Sequence, residues 1–135
     1  MSALATSKLF PADPIEQIRA VESGLSVSRF AAFRKTLNLS SRQLAELLGI
    51  SESTLLQLGS KPTLPPVVSD RAWRLWNVRS KAVALFEGDT KAADRWLAAP
   101  QFAFGGRTPL ALMVTEAGAR EVEALAHRME HGVVA

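Results

Sequence analysis

Leu39-Ser40-Ser41-Arg42-Gln43-Leu44-Ala45-Glu46-Leu47-Leu48-Gly49-Ile50-Ser51-Glu52-Ser53-Thr54-Leu55-Leu56-Gln57-Leu58 is the stretch that decides the fold. Ser40 followed three residues later by Gln43 spells a capping box, the reciprocal hydrogen bonding that opens a helix. Leu44, Leu47 and Leu48 then fall on one face of that helix. Gly49 permits a sharp turn, Ile50 plugs the elbow, and Ser51 is placed to cap a second helix. Small Ala45 opposite Gly49 lets the two short helices cross closely. With Ser41 as the first position, Ala45, Gly49, Leu55 and Leu58 are the fifth, ninth, fifteenth and eighteenth. This is the spacing of a helix-turn-helix.

The second helix of that motif would offer Ser51, Ser53, Thr54 and Gln57 to a DNA groove, and it carries no lysine or arginine. Gln57 has the donor and acceptor to pair with adenine, whereas hydroxyls discriminate little. Arg42, Gln43 and Lys61 are placed to hold the phosphate backbone, where contacts position rather than specify. The competing reading is a helix-turn-helix kept for packing or dimerisation. Any DNA binding should fall steeply with salt.

Outward from this motif the chain reads as all-helical. Residues 1–13 form a leader. Asp13-Pro14-Ile15-Glu16 starts a helix in which Ile15, Ile18 and Val21 recur at helical spacing, and Gly24 ends it. Ser28 is expected to cap a second helix, with Phe30, Phe33 and Leu37 as its core stripe. Gly59 to Pro66 is studded with prolines and marks the boundary between residues 14–66 and residues 67–135. Ser69 or Asp70 is expected to open a long helix, with Trp73, Trp76, Val83 and Phe86 as packing residues. Asp89 caps a short helix carrying Trp96 and Leu97.

Gly105-Gly106-Arg107-Thr108-Pro109-Leu110 follows: two glycines for a turn, a threonine N-cap and a proline at the first helical position. Thr115 caps one more helix, made acidic by Glu116, Glu121, Glu123 and Glu130. This two-step arm suits a segment that enters a partner. The alternative is that it packs on its own domain.

The 135 residues fit one compact domain or two small ones, and a 47% hydrophobic content supplies a core. The net charge of +3 is unevenly spread. Between Ser26 and Pro65 five cations meet two carboxylates, while beyond Thr115 two arginines meet four glutamates. A basic front and an acidic end point to two different partners. There is no cysteine, which excludes disulfides, thiolate zinc sites and thiol nucleophiles. No apolar run approaches the roughly 20 residues of a membrane span, and Met1 to Phe10 lack the pattern of a secretory signal, so a cytoplasmic protein is expected.

Catalytic patterns are sparse. His127-Arg128-Met129-Glu130-His131 spells H-x-x-E-H, a pattern of inverted zinc peptidases, but Gly132 follows at once and no third ligand lies downstream. Gly105-Gly106-Arg107-Thr108 lacks phosphate-loop spacing and a preceding strand. Neither an enzyme nor a bound cofactor or metal is expected.

Residues from about Val68 onward resemble the toxin-binding domain of the Xre/MbcA/ParS-type antitoxins that accompany RES-domain toxins. The matching text is Ala92-Ala93-Asp94-Arg95-Trp96-Leu97, Gly105-Gly106-Arg107-Thr108-Pro109-Leu110, Thr115-Glu116-Ala117-Gly118-Ala119-Arg120-Glu121-Val122-Glu123, and Arg128-Met129-Glu130-His131-Gly132-Val133-Val134-Ala135. The N-terminal half is similar to the Xre/Cro-like helix-turn-helix bundle of the same antitoxins. The resemblance implies a small helical toxin-binding domain that neutralises a RES-type, NAD-consuming toxin by placing its C-terminal helix and tail in the toxin's active site. It implies toxin contacts at Arg107, Glu123, Arg128, Glu130, His131, Gly132, Val133, Val134 and Ala135. It also implies autorepression of the operon, with a homodimer forming a hetero-oligomer with toxin. The resemblance breaks after Thr54, where arginine or lysine gives way to Leu55-Leu56-Gln57-Leu58-Gly59. The alternative is a transcriptional regulator whose C-terminal half dimerises or senses a ligand.

Overall fold

The computed structural model describes residues 9–132, and among these the chain is helical with no strand, apart from one isolated antiparallel bridge between Ser26 and Thr63. In chain order the helices are α1 (Pro14–Ser23), α2 (Val27–Arg34), α3 (Ser41–Leu48), α4 (Glu52–Leu58), α5 (Pro66–Leu85), α6 (Thr90–Ala98), α7 (Pro109–Leu112) and α8 (Glu116–Glu130). A 3₁₀ turn, Phe102–Phe104, separates α6 from α7. The chain divides into two compact units, the first ending at Trp73 and the second beginning at Arg74, inside α5.

In the first unit the core is Phe30 and Phe33 of α2, Leu44, Ala45, Leu47 and Leu48 of α3, and Leu55 and Leu58 of α4. Burying one such leucine is worth about 2 kcal/mol, so α3 alone gives this unit much of its cohesion. The capping box forms as the spacing requires: Gln43 N donates to Ser40 Oγ at 3.1 Å, and Ser40 N donates to Gln43 Oε1 at 2.9 Å. Gly49 ends α3 at φ +69°, and a Cβ there would lie 2.6 Å from Arg71 Nη1. Arg71 in turn caps α3 by donating to the Leu48 carbonyl at 3.2 Å.

Two sequence expectations are corrected in this unit. Helix α2 is capped by Ser26, not Ser28, because Leu25 to Val27 are held extended against residues 62–64. Val27 N donates to Pro62 O at 3.0 Å and Leu64 N to Leu25 O at 2.8 Å. Helix α5 starts at Pro66, not at Ser69 or Asp70. Proline fits the first helical position, and Ser69 N already donates to Pro65 O. Ser69 is instead fully buried, its Oγ accepting from Leu25 N at 2.8 Å and donating to Leu64 O at 3.3 Å. Helix α1 buries none of its residues, and Ile15 and Ile18 stay more than half exposed.

In the second unit, Leu75, Val78 and Ala82 of α5, Ala93, Trp96 and Leu97 of α6, and Met113 are buried. Trp76 is only half-buried, as is Trp73 at the end of the first unit, so α5 packs mainly through its smaller apolar residues. Helix α8 adds Ala119, Val122, Leu125 and Ala126 to this core. The last helix therefore finishes its own unit as far as Ala126, and an arm freely entering a partner is not what its full length is. Gly118 makes that packing possible, since a Cβ there would stand 1.8 Å from the Leu112 carbonyl oxygen.

Candidate functional site

Two surfaces follow from this architecture, one in each unit. In the first, α3 and α4 pack together with Gly49 to Ser51 as their connection. Ser51 caps α4 as its position predicts. Its Oγ accepts from Thr54 N at 3.0 Å and donates to Thr54 Oγ1 at 3.0 Å. Ser51 and Thr54 are thus tied to each other. The outward face of α4 is carried by Ser53, Leu56 and Gln57, all exposed. Leu56 is 82% exposed while its neighbour Leu55 is 6%.

The candidate phosphate contacts lie on exposed ground. Arg42 projects from α3, loosely paired with Glu46 at 3.6 Å, and Lys61 is exposed beyond α4. Gln43 has its Oε1 engaged in the capping box, so only its amide N–H groups are left to offer a phosphate. Arg34 joins α2 to α3 by donating to Ser41 Oγ at 2.7 Å. Leu56 was missed by reasoning from polarity alone. The signal was present, because Leu55 and Leu58, three apart, define the buried stripe and leave Leu56 off it.

In the second unit the Gly105-Gly106 loop is a closed ring. Gln101 N donates to Arg107 O at 3.1 Å and Gly106 N donates back to Gln101 O at 3.0 Å. Gly105 and Gly106 sit at φ +65° and +89°, a region glycine enters without steric cost. Thr108 caps α7 through Ala111 N at 3.1 Å, and Thr115 caps α8 through Gly118 N at 3.0 Å. This rigid loop displays Arg107 and also Phe102, whose side chain is fully exposed at 101%. Phe102 was not singled out from sequence, because it belongs to no helical stripe.

The other predicted toxin contacts divide by environment. Glu123 is half-buried and already engaged, accepting from Asn77 Nδ2 at 3.2 Å and from Lys81 Nζ. Arg128 is half-buried, with its Nε enclosed and unpaired. Glu130, His131 and Gly132 are exposed, Glu130 standing 3.9 Å from His131 Nε2. Val133, Val134 and Ala135 lie outside the described residues. An open groove of about 670 Å³ runs between α5 and α8, edged by Lys81, Arg120, Glu123, His127, Arg128 and Glu130. The rings of His127 and His131 are 4.3 Å apart, and among the described residues no three potential metal-ligating groups converge. Nor is any described helix long and apolar enough to cross a membrane.

Residues 16–76 match the antitoxin Xre-like helix-turn-helix domain, and residues 81–132 match the antitoxin Xre/MbcA/ParS C-terminal toxin-binding domain. An Antitoxin Xre of Yersinia enterocolitica is 31% identical over 117 residues, covering 86% of this chain and 79% of that protein. The chain belongs to the Xre antitoxin family. Two further proteins named Antitoxin Xre are similar over shorter spans. That of Photorhabdus laumondii is 41% identical over 66 residues, 49% of this chain and 45% of the relative. That of Pseudomonas putida is 34% identical over 64 residues, 47% and 40% respectively. As a family member, this Xre-type antitoxin combines a DNA-binding helix-turn-helix with a toxin-binding domain in an all-helical chain.

Proposed function

We propose that this antitoxin neutralises a RES-type, NAD-consuming toxin. In this reading the chain beyond Ala126 occupies the toxin's active site, and a homodimer represses its own operon through α4. Residues 14–66 are assigned to DNA and residues 67–135 to toxin. One observation carries the toxin side: burial of the apolar face of α8 stops at Ala126, while Met129, which continues that face, and Glu130 and His131 beyond it are exposed. A cavity shaped for the NAD pyrophosphate is expected to be positive, and the exposed Glu130 carboxylate complements it. Arg107 and the exposed ring of Phe102 supply a second contact on a preorganised loop, where little ordering entropy remains to be lost. Glu123 acts indirectly, by holding α8 to α5.

Deleting residues 128–135 tests this, because it leaves the buried face of α8 in place. Co-expressed with a RES-domain toxin that the full-length chain neutralises, the truncated chain is expected to stop protecting cellular NAD while still shifting operator DNA. Full protection by the truncated chain overturns the active-site reading.

A further inference from the structure

Leu56 is the most exposed aliphatic residue of the helix-turn-helix, at 82%, and its place is unexplained by packing. Helix α4 buries Leu55 and Leu58 on one side, and at 100° per residue Leu56 stands on the other. It shares that outward face with Ser53, one turn earlier, and with Gln57, the next residue. The face has no cation, and the nearer hydroxyls, Ser51 and Thr54, are bonded to each other. What remains at the C-terminal end of that face is a hydrocarbon beside a carboxamide, with the exposed Glu52 carboxylate and Ser53 hydroxyl one turn earlier. The major groove presents one apolar group to such a surface, the C5-methyl of thymine, and on the partner strand of the same pair it presents the adenine edge that a carboxamide matches.

We propose that Leu56 reads a thymine methyl group, and that with Gln57 it makes A·T pairs the determinant of the half-site. This rests on α4 being the helix that enters the major groove. Affinity in the absence of cations on α4 then comes from Arg42 and Lys61 on the phosphates, while selectivity comes from apolar contact. The methyl contact is worth about fourfold in affinity, the effect of burying one methyl-sized group.

The test begins with selection of a preferred duplex from a random-sequence library by the full-length chain. Each thymine of that duplex is then replaced singly by deoxyuridine, which removes only the methyl. Fluorescence anisotropy is expected to show one position per half-site where the native chain loses about fourfold in affinity. The Leu56→Ala chain is expected to bind the thymine and uracil duplexes equally, with unchanged circular dichroism. Leu56→Met, which keeps a hydrocarbon there, should restore sensitivity at that position. The proposal is overturned if the native chain tolerates every uracil, or if Leu56→Ala keeps the same sensitivity. A native chain that binds no duplex at all overturns the groove reading of α4 itself, and this assignment with it.

Discussion

Arg79 and Asp94 form a two-point ion pair inside the second unit, Nε to Oδ1 at 3.0 Å and Nη2 to Oδ2 at 3.1 Å. The guanidinium is almost completely enclosed, its side chain 6% exposed against 22% for the carboxylate. Asp94 lies in the Ala92-Ala93-Asp94-Arg95-Trp96-Leu97 block that carries the family resemblance, so that block is a packing device joining α6 to α5. Removing one partner of such a pair leaves a buried charge uncompensated, which costs more than the pair itself contributes. Asp94→Ala is expected to destabilise the second unit by about 3 kcal/mol in urea unfolding. Replacing both residues with apolar ones of similar volume is expected to recover most of that loss. Equal stability of Asp94→Ala and the native chain would show the pair to be incidental.

Gly118 and Gly106 are both glycines of the second unit, but for different reasons. Gly118 is a helical residue kept small by the Leu112 carbonyl, whereas Gly106 has open space around it and needs only its positive φ. Gly118→Ala is therefore expected to force α7 and α8 apart, costing about 2 kcal/mol or more by overpacking, and to abolish toxin binding. Gly106→Ala is expected to cost about 1 kcal/mol, as a single residue held in left-handed backbone does. Thermal unfolding of the two variants side by side checks the order; a milder Gly118→Ala would mean the helices can shift apart without loss.

Phe102 supports nothing in its own unit, being fully exposed on the ring closed by Gln101. Phe102→Ala is accordingly expected to leave the melting temperature unchanged. Because buried aromatic anchors dominate interface energies, the same variant is expected to weaken toxin binding by about tenfold or more in titration calorimetry. Unaltered affinity would restrict toxin recognition to the chain beyond Ala126.

On the DNA side, Gln57 and Arg42 are expected to fail in different ways. Gln57→Ala should flatten base preference while largely preserving affinity for unselected duplex. Arg42→Ala should weaken binding to all sequences alike and lower the salt slope by about 1. Arg42 is only loosely held by Glu46, at 3.6 Å with both side chains exposed, so little folding stability is at stake. Anisotropy across a salt series separates the two effects. Matching salt slopes for native and Arg42→Ala chains would remove Arg42 from the phosphate contacts.

Glu130 is exposed where α8 leaves its own core. Glu130→Lys is expected to weaken toxin binding by about 2–5 kcal/mol when its charge is buried unpaired at the interface, with DNA binding unaffected. A competition assay that finds the native and Glu130→Lys chains equal would place the last turn outside the contact.

What the sequence determined by itself was everything set within three or four residues. Asp13, Ser40 with Gln43, Ser51, Asp89, Thr108 and Thr115 each cap a helix as their local text requires, because the bonds involved join positions two or three apart. The helix-turn-helix was legible for the same reason. Tertiary structure alone decided the rest. The start of α2 is set by pairing with residues 62–64, and Ser69 serves Leu25 rather than a helix end; both depend on segments roughly forty residues away. The sites divide the same way: residue type marked Arg42, Gln57 and Glu130 as able to make polar contacts, and the Leu55 and Leu58 stripe leaves Leu56 outside the core, but only packing could leave Phe102 exposed and draw Glu123 and Arg128 inward. Away from a helical stripe, exposure is the remainder after the core has closed, and no local pattern contains it.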